Sequence, residues 1–295
     1  MIIDTNGIEK KIKRLGPANI YEQLKIMRQA KKESAQILIL ECMAVNPELQ
    51  LISQRDIVQG DLSVITNVRY DHIYEMGAEL EQIAEALCAV IPKKGKLFTA
   101  EDEFFNLIAK KCGAVNSTAI KCSPTDKYDA NKTIAREIAL HLGLSDEEID
   151  KGFENVISDF GSQHLYKLKN NNDENIAFLN LFSANDPISS IQRANSVIGE
   201  YDNFAFIYNH RADRPERLQL FSEHFFTRYP ASTVYLTGEN KWLAKKILGK
   251  NNSLNLISAK SLANCLNVAE NTLLIGIGNI KGAGLKIIEA LENIS

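Results

Sequence analysis

The sequence predicts an α/β fold with a parallel sheet in each of two halves, and three observations carry that reading. Apolar runs of strand length alternate with longer stretches of helical period along the chain. Two successive apolar runs, ILILE and LSVITNVRYDH, end in acidic or imidazole side chains, at Glu41 and at Asp71–His72. That is how metal and nucleotide ligands sit at the C-terminal edge of a parallel sheet. The phosphate-cradling loop G-x-x-x-x-G-K-[S/T] that normally accompanies such a site occurs nowhere between Met1 and Ser295.

In chain order, Ile20 to Lys32 has helical spacing at Ile20, Leu24 and Met27. Ala35 to Leu40 reads as a short buried strand, Pro47 to Gln54 as a helix and Leu62 to Val68 as a strand. Leu80 to Val90 is an amphipathic helix, Lys96 to Thr99 a brief strand, Phe104 to Lys111 helical, and Ala114 to Ile120 extended. Asp129 to Leu142 is a helix closed by Gly143, and Ser145 caps the next with Glu148 completing a capping box. The polar run Lys167 to Asn175 is the best linker candidate. Strands are then expected at Ile176–Leu181, Phe204–Asn209, Thr233–Thr237, Leu254–Ile257 and Thr272–Gly276. Helices fall between and after them, at Ser189–Ile198, Arg217–Arg228, Trp242–Leu248, Leu262–Ala269 and Leu285–Ile294.

Composition narrows the function classes. The 295 residues are 45% apolar and 24% charged, which suits one large or two ordinary globular domains. A formal charge of −3 gives no electrostatic case for nucleic acid as a partner. The five cysteines form no C-x-x-C pair, so neither a zinc site nor a disulfide framework is supported. With no apolar stretch of spanning length and no signal-peptide core, a cytoplasmic chain is expected.

Each candidate site has a plain alternative. Glu41 is either a solvated acid at a strand end or a cation ligand, and Asp71–His72 either a hydrogen-bonded structural pair or part of the same site. Asn67, just inside the second strand end, has an amide suited to a ligand or a phosphate. In SANDPIS, Asn185 or Asp186 reads as an N-cap with Pro187 at the first helical position, and a ribose or adenine contact would be an addition to that role. Arg211, Arg214 and Arg217 follow a strand in NHRADRPER and form either a solvated basic loop or an anion clamp. IGIGNIKGAG has the wrong spacing for a dinucleotide fingerprint, so a tight strand-to-helix turn allowing close backbone approach to a ligand explains its glycines better.

Taken together and in order, GPANIYEQLKIMRQA, LILECMAVNPELQ, ITNVRYDHIYEMG, LEQIAEAL, DANKTIAREIALHLGL, FSANDPISSI, NHRADRPER and IGIGNIKGAG resemble the ligase subunit of poly-γ-glutamate synthase. That family is the capsule-biosynthesis branch of the Mur ligase superfamily. The resemblance covers nearly the whole chain. It implies a truncated Mur-ligase-type central ATPase domain over residues 1–170 and a Rossmann-like C-terminal α/β domain over residues 171–295, with catalysis in the cleft between them. It also implies an ATP-dependent amide ligation that uses ATP and Mg²⁺ and joins glutamate, or a poly-γ-glutamate chain, through a γ-carboxylate. Membrane-bound synthase subunits are implied partners, which would bring the chain to the inner face of a membrane. By the same resemblance, Glu41 and His72 are Mg²⁺ ligands, directly or through water, and Asn131 faces the adenine side. Asn185 and Asp186 meet the nucleotide, and Arg211, Asp213 and Arg214 line the cleft and bind the incoming carboxylate substrate.

Three departures accompany the resemblance. The chain begins after the family's phosphate loop, so that loop is expected from a separate polypeptide or a longer reading frame. His164 stands where the family carries an arginine that would reach the γ-phosphate. Ala86, beside Glu85, stands near the lysine that many Mur ligases carbamylate. Two readings follow: an ATP-dependent ligase not competent alone, or a non-catalytic Mur-ligase-like binding or scaffold protein.

Overall fold

A computed structural model describes residues 2–14, 16, 19–156, 164–184, 186–250 and 253–293. The chain divides into two compact units, Met1–Val68 with His72–Asn155, and Arg69–Asp71 with Val156–Ser295.

The first unit opens with a short antiparallel pairing of β1 (Ile2–Ile3) and β2 (Glu9–Lys10), closed by a turn in which Asp4 accepts from the amides of Asn6 and Ile8. Helix α1 spans Glu22–Lys32. Helix α2 (Pro47–Ile52) starts where Asn46 accepts from the amides of Glu48 and Leu49, and runs on as a π-helical turn over Ser53–Val58. The sheet follows: β3 (Leu62–Ile65), α3 (Ile73–Met76), α4 (Leu80–Leu87), β4 (Lys96–Thr99), α5 (Phe105–Ala114) and β5 (Thr118–Lys121). The three strands are parallel in the order β3-β4-β5, with Leu62 level with Lys96 and Lys96 level with Thr118. Helices α6 (Ala130–His141) and α7 (Asp146–Glu154) complete the unit, and the Ser145–Glu148 capping box forms as expected. Leu97 packs with Ile65, Ile108 and Cys112 on one face of the sheet, while Phe98 packs with Cys122 and Ile134 on the other.

The strand expected over Ala35–Leu40 does not form. Residues 36–45 carry no regular structure, and Ile39 is 90% exposed. A strand needs a neighbour to satisfy its backbone and cover its side chains. The local pattern was read correctly as apolar, but no strand in the described residues pairs with it.

The second unit is a six-stranded sheet. Its elements are β6 (His164–Lys169), β7 (Asn175–Asn180), α8 (Pro187–Ile198), β8 (Asn203–His210), α9 (Pro215–Leu220), β9 (Thr233–Gly238), α10 (Lys241–Leu248), β10 (Asn255–Ser258), β11 (Thr272–Gly278) and α11 (Ala283–Glu292). Helix α9 continues through a π-helical turn to Phe225 and a 3-10 turn to Arg228. The helix expected at Leu262–Ala269 is only a 3-10 turn over Leu262–Cys265. The strand order is β10-β9-β8-β11-β7-β6, all parallel except the edge strand β6. Last of the strands in sequence, β11 lies between β7 and β8, and all seven of its residues are buried.

The polar run Lys167–Asn175, read as a linker, is instead the end of β6, a turn and the start of β7. Asn170 makes that turn self-supporting: its side chain accepts from the amides of Asn172 and Glu174 and donates to the Val268 carbonyl. This hairpin belongs to the second compact unit, which takes in Val156–Ser295 together with Arg69–Asp71. Alternation along β8 separates two cores. Phe206 and Tyr208 face Ala194 of α8, Leu218 of α9 and Ala244 of α10, whereas Ala205 and Ile207 face Ile287, Ile288 and Leu291 of α11.

Candidate functional site

The connection pattern of the second sheet marks where a ligand can enter. The helices after β7, β8 and β9 pack on one face, and the helix after β11 packs on the other. The chain thus leaves the C-terminal ends of β8 and β11, which are neighbours, in opposite directions and opens a crevice between them.

Three side chains lock the walls of that crevice. The Asn209 amide donates to the carbonyls of Asn279 (2.5 Å) and Lys281 (2.8 Å). In return Asn279 donates to the Asn209 carbonyl at 3.0 Å. Arg217, 6% exposed, donates to Asn279 Oδ1 at 2.9 Å and to the Gly278 carbonyl at 3.4 Å. Its second terminal nitrogen lies 3.5 Å from an Asp71 carboxylate oxygen. Beside it, the rings of Tyr70 and His224 stack at 4.7 Å.

The glycines fit this lock. A Cβ on Gly284 would stand 2.6 Å from the Asn279 carbonyl, and one on Gly278 would stand 2.8 Å from the Asn209 carbonyl. The close approach that IGIGNIKGAG was expected to allow to a ligand is, in this structure, an approach of the protein's own backbone to Asn209.

Of the three arginines read as one clamp, Arg217 is withdrawn into this network. Arg211 and Asp213 pair with each other at 2.5 Å, and Arg214 lies 3.7 Å from Glu216. The Ala212 amide, between them, donates to Glu239 at 2.9 Å. The loop thus carries partly exposed guanidiniums held by neighbouring carboxylates rather than three free cations.

On the α9 side of β8, His210 is 1% exposed and stacks over Tyr208 at 6.4 Å. Among the described residues, neither its ring nitrogens nor the Tyr208 hydroxyl has a hydrogen-bond partner. Burial pushes the His210 pKa below its usual value, against a small opposing pull from Glu239, and pushes the Tyr208 hydroxyl up. Asp186 caps α8, accepting from the Ser189 amide at 2.8 Å, with Pro187 at the first helical position. Asn185 lies outside the described residues.

In the first unit, Glu41 is exposed in the irregular segment rather than at a strand end. Asn67 and His72 follow β3, and His72 precedes α3 with φ 51°, in the left-handed region. Asn131 lies in the first turn of α6. Thr133 and Arg136 of that helix help line a cavity of about 650 Å³ with Lys121, Tyr128 and Asp150. Lys127 and Tyr128 hold the Asp150 carboxyl below the usual carboxylate range. Among the described residues, no group of three or more His, Cys, Asp or Glu side chains is placed to hold a metal ion.

Sequence reasoning missed Glu101. This carboxylate, 4% exposed, accepts from the amides of Val68 (2.7 Å), Glu103 (3.0 Å) and Phe104 (3.4 Å). It ties the segment after β3 to the end of β4, between Asn67 and His72. An acid two residues past a strand was the available signal.

A profile described as the poly-gamma-glutamate synthase CapB C-terminal domain matches residues 165–294, most of the second unit. Over 96% of its length the chain is 32% identical to PGA synthase CapB of Bacillus subtilis (strain 168), of which it covers 78%. The chain belongs to the CapB family. Solved structures extend the likeness to a wider fold group. FolC of E. coli, solved in complex with ADP, superposes with a TM-score of 0.59 at 15% identity, over 81% of this chain and 62% of the FolC chain. A bifunctional folylpolyglutamate synthase/dihydrofolate synthase, solved with Mn, AMPPNP and L-glutamate bound, gives 0.57 at 14% identity, over 92% of this chain and 76% of that one. The chain therefore shares the α/β fold of FolC and of this synthase, and spans about three fifths of the FolC chain. No helix among the described residues is long and apolar enough to cross a membrane.

Proposed function

We propose that this chain is the greater part of an ATP-dependent amide ligase that joins glutamate through its γ-carboxylate. The observation that carries this reading is the match to PGA synthase CapB along nearly the whole chain. A carboxylate is a poor electrophile. Transfer of the γ-phosphoryl group of ATP to the glutamate γ-carboxylate gives an acyl phosphate. The amine of the next glutamate attacks its carbonyl carbon, forming the amide and releasing phosphate.

In this reading Asn185 and Asp186 meet the nucleotide, Asn131 faces its adenine side, and Asn67 supports a ligand or phosphate by its amide. Arg211 and Arg214, their charge moderated by Asp213 and Glu216, hold the carboxylate of a glutamyl substrate. Glu41 and His72 would hold Mg²⁺, directly or through water. Such a sparse set suits this cation, which takes one or two protein carboxylates and completes its shell with phosphate oxygens and water. When bound, the cation supplies charge neutralisation on the phosphates. The phosphate loop comes from a polypeptide segment outside this chain, and membrane-bound synthase subunits hold the assembly at the inner face of a membrane.

The test is glutamate-dependent ADP release by the chain combined with a segment bearing a G-x-x-x-x-G-K-[S/T] loop. Release above the loop segment alone is expected, and Glu41→Gln should lower it on the order of a hundredfold. Tight glutamyl-peptide binding with no nucleotide affinity in the same mixture would instead favour a non-catalytic binding protein. Full activity of the Glu41→Gln protein would remove Glu41 from the metal site.

A further inference from the structure

The N-terminal 33 residues stand apart electrostatically. They hold eight Lys or Arg side chains against four Asp or Glu, a net of +4 in a chain of net −3. Within the first unit this charge gathers on a groove of about 860 Å³ between the β1–β2 hairpin, the segment after it and α1. Its basic lining is Lys10, Lys11, Lys13, Arg14 and Lys25, with Glu22 the one carboxylate among the described residues.

That carboxylate is already committed. Arg14 Nε donates to both Glu22 oxygens, at 2.8 and 2.9 Å, and Arg14 with Lys25 holds the Glu22 carboxyl below the usual range. Lys10 pairs with Asp4 at 2.5 Å. Lys11 and Lys13 form no ion pair among the described residues and face the groove with their charge uncompensated. Between the cations, Ile12 and Ile26 supply apolar wall, and Tyr21 stands 61% exposed at the edge.

We propose that this groove holds the growing γ-linked glutamyl chain, an inference that rests on the ligase reading above. The chemistry of that polymer matches the lining. Each residue of it places two methylenes and an amide in the main chain and leaves one α-carboxylate pendant. Methylenes lie along Ile12 and Ile26, while the pendant carboxylates meet Lys11, Lys13 and Lys25. Lysine suits this task because it binds as a mobile point charge and does not demand one fixed carboxylate geometry, so the chain can advance as it lengthens. A membrane surface fits less well, since the cations line a concavity. A nucleic acid would leave the aliphatic wall without a complement.

The experiment is fluorescence anisotropy of a labelled γ-linked glutamyl oligomer with the full chain, in the absence of ATP. Binding that weakens with added salt is expected. Replacing Lys11, Lys13 and Lys25 together by glutamine should weaken it by about tenfold, with unchanged circular dichroism, because three exposed ion pairs at about 0.5 kcal/mol each come to the ~1.4 kcal/mol of that change. The single Lys13→Glu protein serves as the second variant should the triple variant fail to fold, and is expected to lose affinity as well. Undiminished affinity in the folded triple variant would overturn the proposal. So would a chain that takes phosphatidylglycerol vesicles or a single-stranded oligonucleotide while ignoring the glutamyl oligomer. Binding is read without turnover, so its failure is separable from failure of the ligase reading: ADP release with free glutamate can persist without the groove, and oligomer binding can persist without ADP release.

Discussion

Replacing Arg217 with leucine is expected to cost the second unit about 3–4 kcal/mol, the range for breaking a buried charged network by removing one partner. Leucine fills the apolar part of the space but leaves Asn279 Oδ1 and the Gly278 carbonyl without the Arg217 donor and removes one ion-pair partner of Asp71. Each buried acceptor so orphaned carries its own desolvation cost. The readout is amide hydrogen exchange of peptides covering β8 and β11. Protection should collapse toward the C-terminal ends of these strands in Arg217→Leu, with first-unit peptides unaffected. Arg217→Lys keeps the charge but not the forked geometry, and should fall between the two. Unchanged protection in Arg217→Leu would show that the crevice walls do not depend on this residue.

Gly238→Ala should be comparably damaging. Gly238 ends β9 with φ 87°, where an L side chain is strained. A Cβ there would lie 2.2 Å from the His210 carbonyl oxygen and 2.4 Å from Asn209 Oδ1, and backbone cannot yield as a flexible side chain can. Strain and overpacking together come to roughly 2–5 kcal/mol. The damage falls on the pairing of His210 with Gly238, and so on the strand end that presents Asn209. Urea unfolding should show a lower midpoint, and any folded remainder should lose protection in β8 and β9. A midpoint equal to that of the unaltered chain would mean the strand end is not held in this geometry.

The second sheet was the more legible half. Its strands are apolar runs separated by strong helix signals, and Asp186–Pro187 caps α8 as the local rules require, as Ser145–Glu148 caps α7 in the first unit. What misled was chemistry that local pattern does not encode. Lys167–Asn175 is polar because Asn170 builds a hairpin turn with its own side chain, and a polar hairpin looks like a linker in one dimension. Arg217 reads as one of three surface arginines until α9 turns it toward Asn279, sixty-two residues away in sequence. Glu101 accepts from an amide thirty-three residues earlier, a partnership no spacing rule reveals. Ile37 to Leu40 shows the converse: the run has the composition of a buried strand, but strand formation depends on a neighbour that the run itself does not supply. The position of Glu41 therefore could not be read from the apolar run alone.

The central claim is ligation through an activated γ-carboxylate, and the path of oxygen tests it most directly. Glutamate labelled with ¹⁸O in its γ-carboxylate would be supplied with ATP, Mg²⁺, the chain and the phosphate-loop segment, and the released phosphate analysed by mass spectrometry. Phosphoryl transfer to the carboxylate followed by amine attack on the carbonyl carbon leaves one carboxylate oxygen in inorganic phosphate for each amide formed. One labelled oxygen per phosphate, in step with ADP, is the expected result. Amide formation with unlabelled phosphate, or with AMP in place of ADP, would contradict it.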